Sequence, residues 1–337
     1  MRRVLALSVL VFLMPTGVFA QEEAWVPPKG EFFWSVRYQW YKADDHLLSS
    51  DVLEPELTPF EELMGIDFDS TANDFGKMES QVIIMDGDIG ITDKLALSGG
   101  LAFVQSKYTQ SGLGSAEGPQ DDGTFNGNFQ DARIGVRYLA LNGTWVLTPS
   151  ATFVLPLTDY PIMGHSAIGR GLKELQLGVN FGRLLNIGGM PSAYIQGSYA
   201  YTIMENIDVV GLDRSNLVLS GGYFHRAITV QVFGSWQKIH GGIDWAHDIR
   251  VRQNLGEIIE THDQAAATRD FQVGGGVSFQ VSEAADLFVA LNNTLWGANT
   301  YKGRTLSFGM TYGFQAFGGI GTPRVPYGDR DGDDDNQ

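Results

Sequence analysis

The amino-acid sequence predicts an all-β protein, a transmembrane antiparallel up-and-down β-barrel of about twelve strands. Three observations carry that prediction. The chain opens with an export signal, its apolar and polar residues alternate in runs of strand length, and the connections between those runs are by turns long and short.

The export signal occupies residues 1–20. Arg2 and Arg3 form a positive start, Val4 to Met14 an apolar stretch, and Val18-Phe19-Ala20 a small-residue cleavage site before Gln21. The apolar stretch is too short for a membrane helix, which needs about 20 residues. Cleavage would leave 317 residues (337 − 20) with a net charge of −18, since Arg2 and Arg3 depart from a chain of net charge −16.

Composition narrows the classes. Mean hydropathy is −0.08, yet aromatic residues make up 12% of the chain and glycines number 42. A barrel fits this mixture because only alternate strand residues face lipid. With no cysteine, an exported chain has no disulfide framework, lipid-modified N-terminal cysteine or thiolate metal site. The acidic balance argues against a nucleic-acid partner, which leaves a basic footprint.

The alternation is clearest at 268–281, where Phe271, Val273, Val277 and Phe279 oppose Gln272, Gly274, Gly276 and Ser278. It recurs at 30–41, 172–185 and 304–315, and in weaker form at 81–91, 95–108, 128–140, 144–157, 191–204, 215–225, 228–239 and 286–297. The connections between these segments run 39, 3, 19, 3, 14, 5, 10, 2, 28, 4 and 6 residues. Long and short alternate until the last, as expected where extracellular loops are long and periplasmic turns short. A soluble two-sheet sandwich would not gather the long loops at one end. Aromatics near strand ends, among them Trp34, Trp40, Tyr138, Trp145, Trp236 and Trp296, fit the girdles of a membrane barrel. The last strand, Gly309 to Phe314, resembles the terminal signature read by the outer-membrane assembly machinery, although about twenty residues follow it.

The expected organisation is therefore a signal peptide at 1–20, a periplasmic N-terminal segment at 21–29, the barrel at 30–315 and an acidic tail at 316–337. Residues 58–65 read as a short helix in the first long loop, with Thr58 as N-cap and Pro59 at its first position. The Asp329–Asp335 run lacks the sixth-position glycine and distal glutamate of a calcium loop and reads as a solvated tail.

If the apolar face sees lipid, then Arg37, Asp86, Asp88, Asp131, Arg133, Arg137 and Glu174 point inward. Buried charges must be paired or hydrated. This set therefore either fills and stiffens the barrel or forms a polar constriction that filters a solute. At the mouth, His165 and Arg170 in one loop and His240, Asp244 and Trp245 in another are candidates for binding a polar ligand, with ordinary loop hydrogen bonding as the plainer reading. No metal or cofactor is expected. Catalysis by serine and histidine is disfavoured, because none of the six histidines stands in the arrangement that barrel lipases carry.

Several strings together resemble the outer-membrane barrels of the "MetA-pathway of phenol degradation" family. They are Pro27-Pro28-Lys29-Gly30-Glu31, Gly90 to Ser98, Phe129 to Tyr138 and Gly169 to Gln176. The resemblance implies uptake of small, often hydrophobic or aromatic compounds, and it carries over no catalytic or binding residue. The reading is a passive, selective channel in the outer membrane of a Gram-negative bacterium, its partners being outer-membrane lipid, a small solute and the assembly machinery. The alternatives are a plugged barrel serving structure or adhesion, and a barrel hydrolase.

Overall fold

The computed structural model describes residues 24–47, 76–109, 121–162, 164–187, 190–207, 210–243 and 265–317. The strands are β1 (Glu31–Leu47), β2 (Lys77–Gly90), β3 (Leu95–Thr109) and β4, which runs in three pieces (Asn126–Phe129, Ala132–Tyr138 and Leu141–Asn142). They continue as β5 (Val146–Leu155), β6 (Glu174–Ile187), β7 (Met190–Met204), β8 (Arg214–His225), β9 (Ile228–Ile239), β10 (Arg269–Gln280), β11 (Ala285–Ala298) and β12 (Thr300–Gln315). Each pairs antiparallel with its sequence neighbours. β1 pairs with both β2 and β12, so the sheet closes into a barrel of twelve strands. Closure leaves no sheet edge, the condition for a sheet to cross a bilayer. Among the described residues no helix is long and apolar enough to span a membrane.

Alternation sets which way each side chain faces. On β9, Ile228, Val230 and Val232 point outward while Thr229, Gln231 and Phe233 are buried inside. Val232 is 65% exposed and Ile134 63% exposed. A soluble protein would expose such a surface only as a binding patch; acyl chains solvate it without penalty. Trp34, Tyr138, Trp145, Tyr223 and Tyr312 ring the short-turn end, and Trp40, Tyr199 and Trp296 stand exposed toward the long-loop end.

Two strands outrun the sequence expectation at the long-loop end. β1 continues to Leu47, where alternation suggested 41, and β12 begins at Thr300, four residues early. Beyond Trp40 the outward positions become Lys42, Lys302 and Arg304, so the apolar signal fades although the ladder continues, with Lys42 opposite Arg304. The expected six-residue link between β11 and β12 shrinks to Asn299 alone, at φ 51°. Asparagine tolerates that left-handed conformation better than most side chains do.

The interior adds detail to two further expectations. Residues 24–29 were read as a periplasmic segment, but Ala24, Trp25 and Val26 lie inside the short-turn end. Ala24 and Val26 are buried against Ala96, Leu139 and Val146 of the inner wall. Trp25 packs on Tyr194, beside Leu184 and Phe224. The cause is the apolar character of Ala24-Trp25-Val26, which has no other surface to cover it. The connection between β5 and β6, placed at the mouth, packs inward against the wall. Tyr160, Ile162 and Ile168 pack on Val82, Ile84, Ala102 and Val104, inward positions that are apolar because this loop covers them. The helix read at 58–65, the signal peptide and the acidic tail lie outside the described residues.

Candidate functional site

The lumen is the site, and its charged residues are arranged in closed pairs. The Asp86 carboxylate accepts a hydrogen bond from Arg133 Nη2 at 2.9 Å and lies 3.8 Å from Arg37 Nη2. Arg137 pairs with Asp88. Arg214 on β8 donates to Glu174 on β6 across β7 at 3.0 Å. Arg37, Arg137 and Arg214 are all nearly solvent-free, so each guanidinium depends on its carboxylate to offset the cost of leaving water. All seven inward candidates thus belong to the interior or its rim; Arg37, Asp86, Arg133, Asp88 and Arg137 pair among themselves, and Glu174 pairs with Arg214. Asp131 sits where β4 is interrupted and accepts the Tyr160 hydroxyl at 2.6 Å.

Arg214 escaped the sequence reading because the eighth strand was started one residue too late. Carried back by one step, the inward series Asn216, Val218 and Ser220 would have included it.

Two segments occupy the ends of the lumen. At the short-turn end, Arg137 Nη1 donates to the Trp25 carbonyl at 3.2 Å and the Thr148 hydroxyl donates to the Ala24 carbonyl at 2.5 Å. Gly182 makes room for this segment: a Cβ there would come within 2.6 Å of the Ala24 methyl and 2.8 Å of the Trp25 ring.

At the long-loop end, Asp121 fastens the β5–β6 connection. Its carboxylate accepts the His165 N–H at 2.8 Å, the Ser166 N–H at 2.9 Å and the Ser166 hydroxyl at 2.7 Å. Gly164 adopts φ +109°, and a Cβ there would meet Asp121 Oδ2 at 2.9 Å, so glycine serves both the turn and the contact. The Tyr160 hydroxyl accepts the Gly171 N–H at 2.9 Å, and Gln130 Nε2 donates to the Ile168 carbonyl at 2.9 Å.

Among the described mouth candidates, Arg170 lies within electrostatic reach of Glu174, while His240 is held apart on another face. The His165 ring lies 4.4 Å from that of Tyr108 on β3 and 6.5 Å from that of Tyr301 on β12, centroid to centroid. Arg170 is half-buried, and its pKa is lowered to about 10 by desolvation first and by Arg214 second, with Glu174 opposing. His240 turns to the outer face: its Nε2 lies 2.7 Å from Ser215 Oγ and its ring stacks on Tyr201. Ile239 is the last inward residue of β9, so alternation carries the next one outward. Asp244 and Trp245 lie outside the described residues. Among the described residues no three or more His, Asp or Glu side chains are placed to hold a metal ion.

No protein-family profile and no curated protein sequence matches the chain. Solved structures do. The chain is similar to the COG4313 outer membrane channel from Pseudomonas putida F1, at 13% identity and a TM-score of 0.60 over 87% of this chain and 98% of that one. It is also similar to the NanC porin at 7% identity, TM-score 0.45, over 83% and 98%. A structure of the KdgM porin in complex with disordered oligogalacturonate matches at 9% identity, TM-score 0.42, over 83% and 99%. The first likeness identifies the fold as that of outer-membrane β-barrels.

Proposed function

We propose that this chain is an outer-membrane channel through which small organic compounds pass passively and selectively. The observation that carries the reading is the double narrowing of the lumen, by Ala24-Trp25-Val26 at one end and by the Tyr160–Ile168 segment at the other. Twelve strands already enclose far less than the sixteen of a general porin, and these insertions narrow the lumen further. The segments are held by hydrogen bonds and apolar contacts without covalent ties, so they can yield to a solute. The protein whose structure is similar over 87% of this chain is an outer membrane channel, which agrees with this reading. The string resemblance to the phenol-degradation barrels extends it to hydrophobic or aromatic cargo.

The test is reconstitution into planar bilayers and liposomes. Small, discrete conductance steps together with solute flux are expected. The second reading, a plugged barrel with a structural or adhesive role, is favoured by the same filling of both ends. Neither conductance nor flux from correctly folded protein would establish that reading instead.

A further inference from the structure

The inner wall is unevenly accessible. On β6, β7 and β12 the inward side chains of Asn180, Ser198, Thr202 and Ser307 are buried. On β8, β9 and β10 the inward residues Ser220, Ser235, Gln237, Gln272, Gly274 and Gly276 are partly exposed, between the inward Asn216, Val218, Gln231, Phe233 and Asp270 of the same strands, which are buried. They are contiguous: Ser235 stands opposite Gln272, and Phe233 stands between Ser220 and Gly274. Glycine keeps this strip open by letting aromatic rings lie flat on the wall. A Cβ at Gly274 would come within 2.3 Å of the Phe233 ring, and one at Gly222 within 2.3 Å of the Tyr194 ring. Neither ring could then keep its place against the sheet.

The strip carries no exposed charge. Arg214 and Asp270, the inward charged residues of these strands, are both buried. The paired charges Arg37–Asp86–Arg133 and Arg137–Asp88 belong to β1, β2 and β4, away from it. An ion moving along the strip would exchange its hydration for serine hydroxyls, glutamine amides and glycine backbone, with no countercharge to compensate. An uncharged molecule with a hydroxyl, carbonyl or amide would exchange water hydrogen bonds for equivalent ones.

We propose that solutes cross the barrel along this neutral strip on β8–β10, and that the strip selects small uncharged molecules carrying at least one hydrogen-bonding group. The proposal rests on the channel reading above and adds its route and solute class.

The chain has no cysteine, so single substitutions report accessibility without background. Ser235→Cys and Ser220→Cys probe the strip; Thr202→Cys and Ser307→Cys probe the buried wall. Each variant is reconstituted in liposomes, treated with methyl methanethiosulfonate, and assayed for swelling with the neutral sugar arabinose; thiol content is counted after denaturation. The strip cysteines are expected to react at least roughly tenfold faster than the buried pair, and their modification by a bulky neutral reagent should lower arabinose flux severalfold. Thr202→Cys or Ser307→Cys reacting as fast as Ser235→Cys overturns the route, as does arabinose flux unchanged by full modification at Ser235→Cys. Absence of flux from the unmodified protein overturns the channel reading itself.

Discussion

Trp25→Ala is the sharpest probe of the segment that fills the short-turn end. The indole packs on Tyr194, which Leu184 and Phe224 also cover, and on the cluster that buries Ala24 and Val26. Truncating a fully buried tryptophan costs about 3–5 kcal/mol. Trp25 is only partly buried, so about 2 kcal/mol is the reasonable loss, a factor of roughly 30 in the ratio of docked to released segment. The hydrogen bonds from Arg137 and Thr148 are made to backbone carbonyls and survive the substitution. The segment should therefore be loosened without being expelled. Single-channel recording reads this directly: the variant should visit a higher-conductance level about 30 times more often relative to the resting level. Heat-modifiability on gels checks that the barrel itself is intact. Identical conductance levels and dwell times in the two proteins would refute the idea that these contacts hold the segment in place.

Two other outcomes follow from the geometry of the lumen. Asp121→Ala removes three hydrogen bonds to His165 and Ser166. One bond to a charged group is worth about 1.5–3 kcal/mol, so amide exchange across residues 164–168 should rise at least roughly tenfold while strand amides stay protected. Glu174→Gln leaves the Arg214 guanidinium buried without its carboxylate. A loss of about 3–5 kcal/mol is expected by urea unfolding, with most of it recovered in the double variant Glu174→Gln/Arg214→Met.

The strands were legible because lipid demands apolar residues at every second position and a two-residue period cannot be imitated by a helix. Phe271, Val273 and Val277 against Gln272, Gly274 and Gly276 show it on β10, and the structure places each on the expected face. The strand ends were less legible, since Lys42 and Arg304 lie where the ladder outlasts the apolar belt. What fills the lumen was barely legible. Trp25 and Ile168 are apolar residues in segments without periodicity; the glycines at 164, 169 and 171 allow the second to fold inward, but nothing local marks the first. A trace was present in Val82, Ile84, Ala102 and Val104, apolar residues on positions that should face water, which implies a cover. His240 misled for a related reason: a loop residue next to a strand inherits the strand's alternation, and one more step carried it to the outer face.

The contact between the first and last strands has a consequence for how the protein is made. Gln39 on β1 donates to Ser307 on β12, two residues separated by 268 positions. Joining them closes nearly the whole chain into one loop, an entropic cost that grows only slowly with length but whose contacts form late. Every hairpin from β2 to β11 can form locally before that event, whereas β1 waits with one flank unpaired until β12 has been synthesised and delivered. Ala24-Trp25-Val26 precede β1 directly, and the pocket they fill draws on β3 to β8. The occupant of the short-turn end thus precedes in sequence every strand that holds it, and its docking site exists only once β3 to β8 have come together.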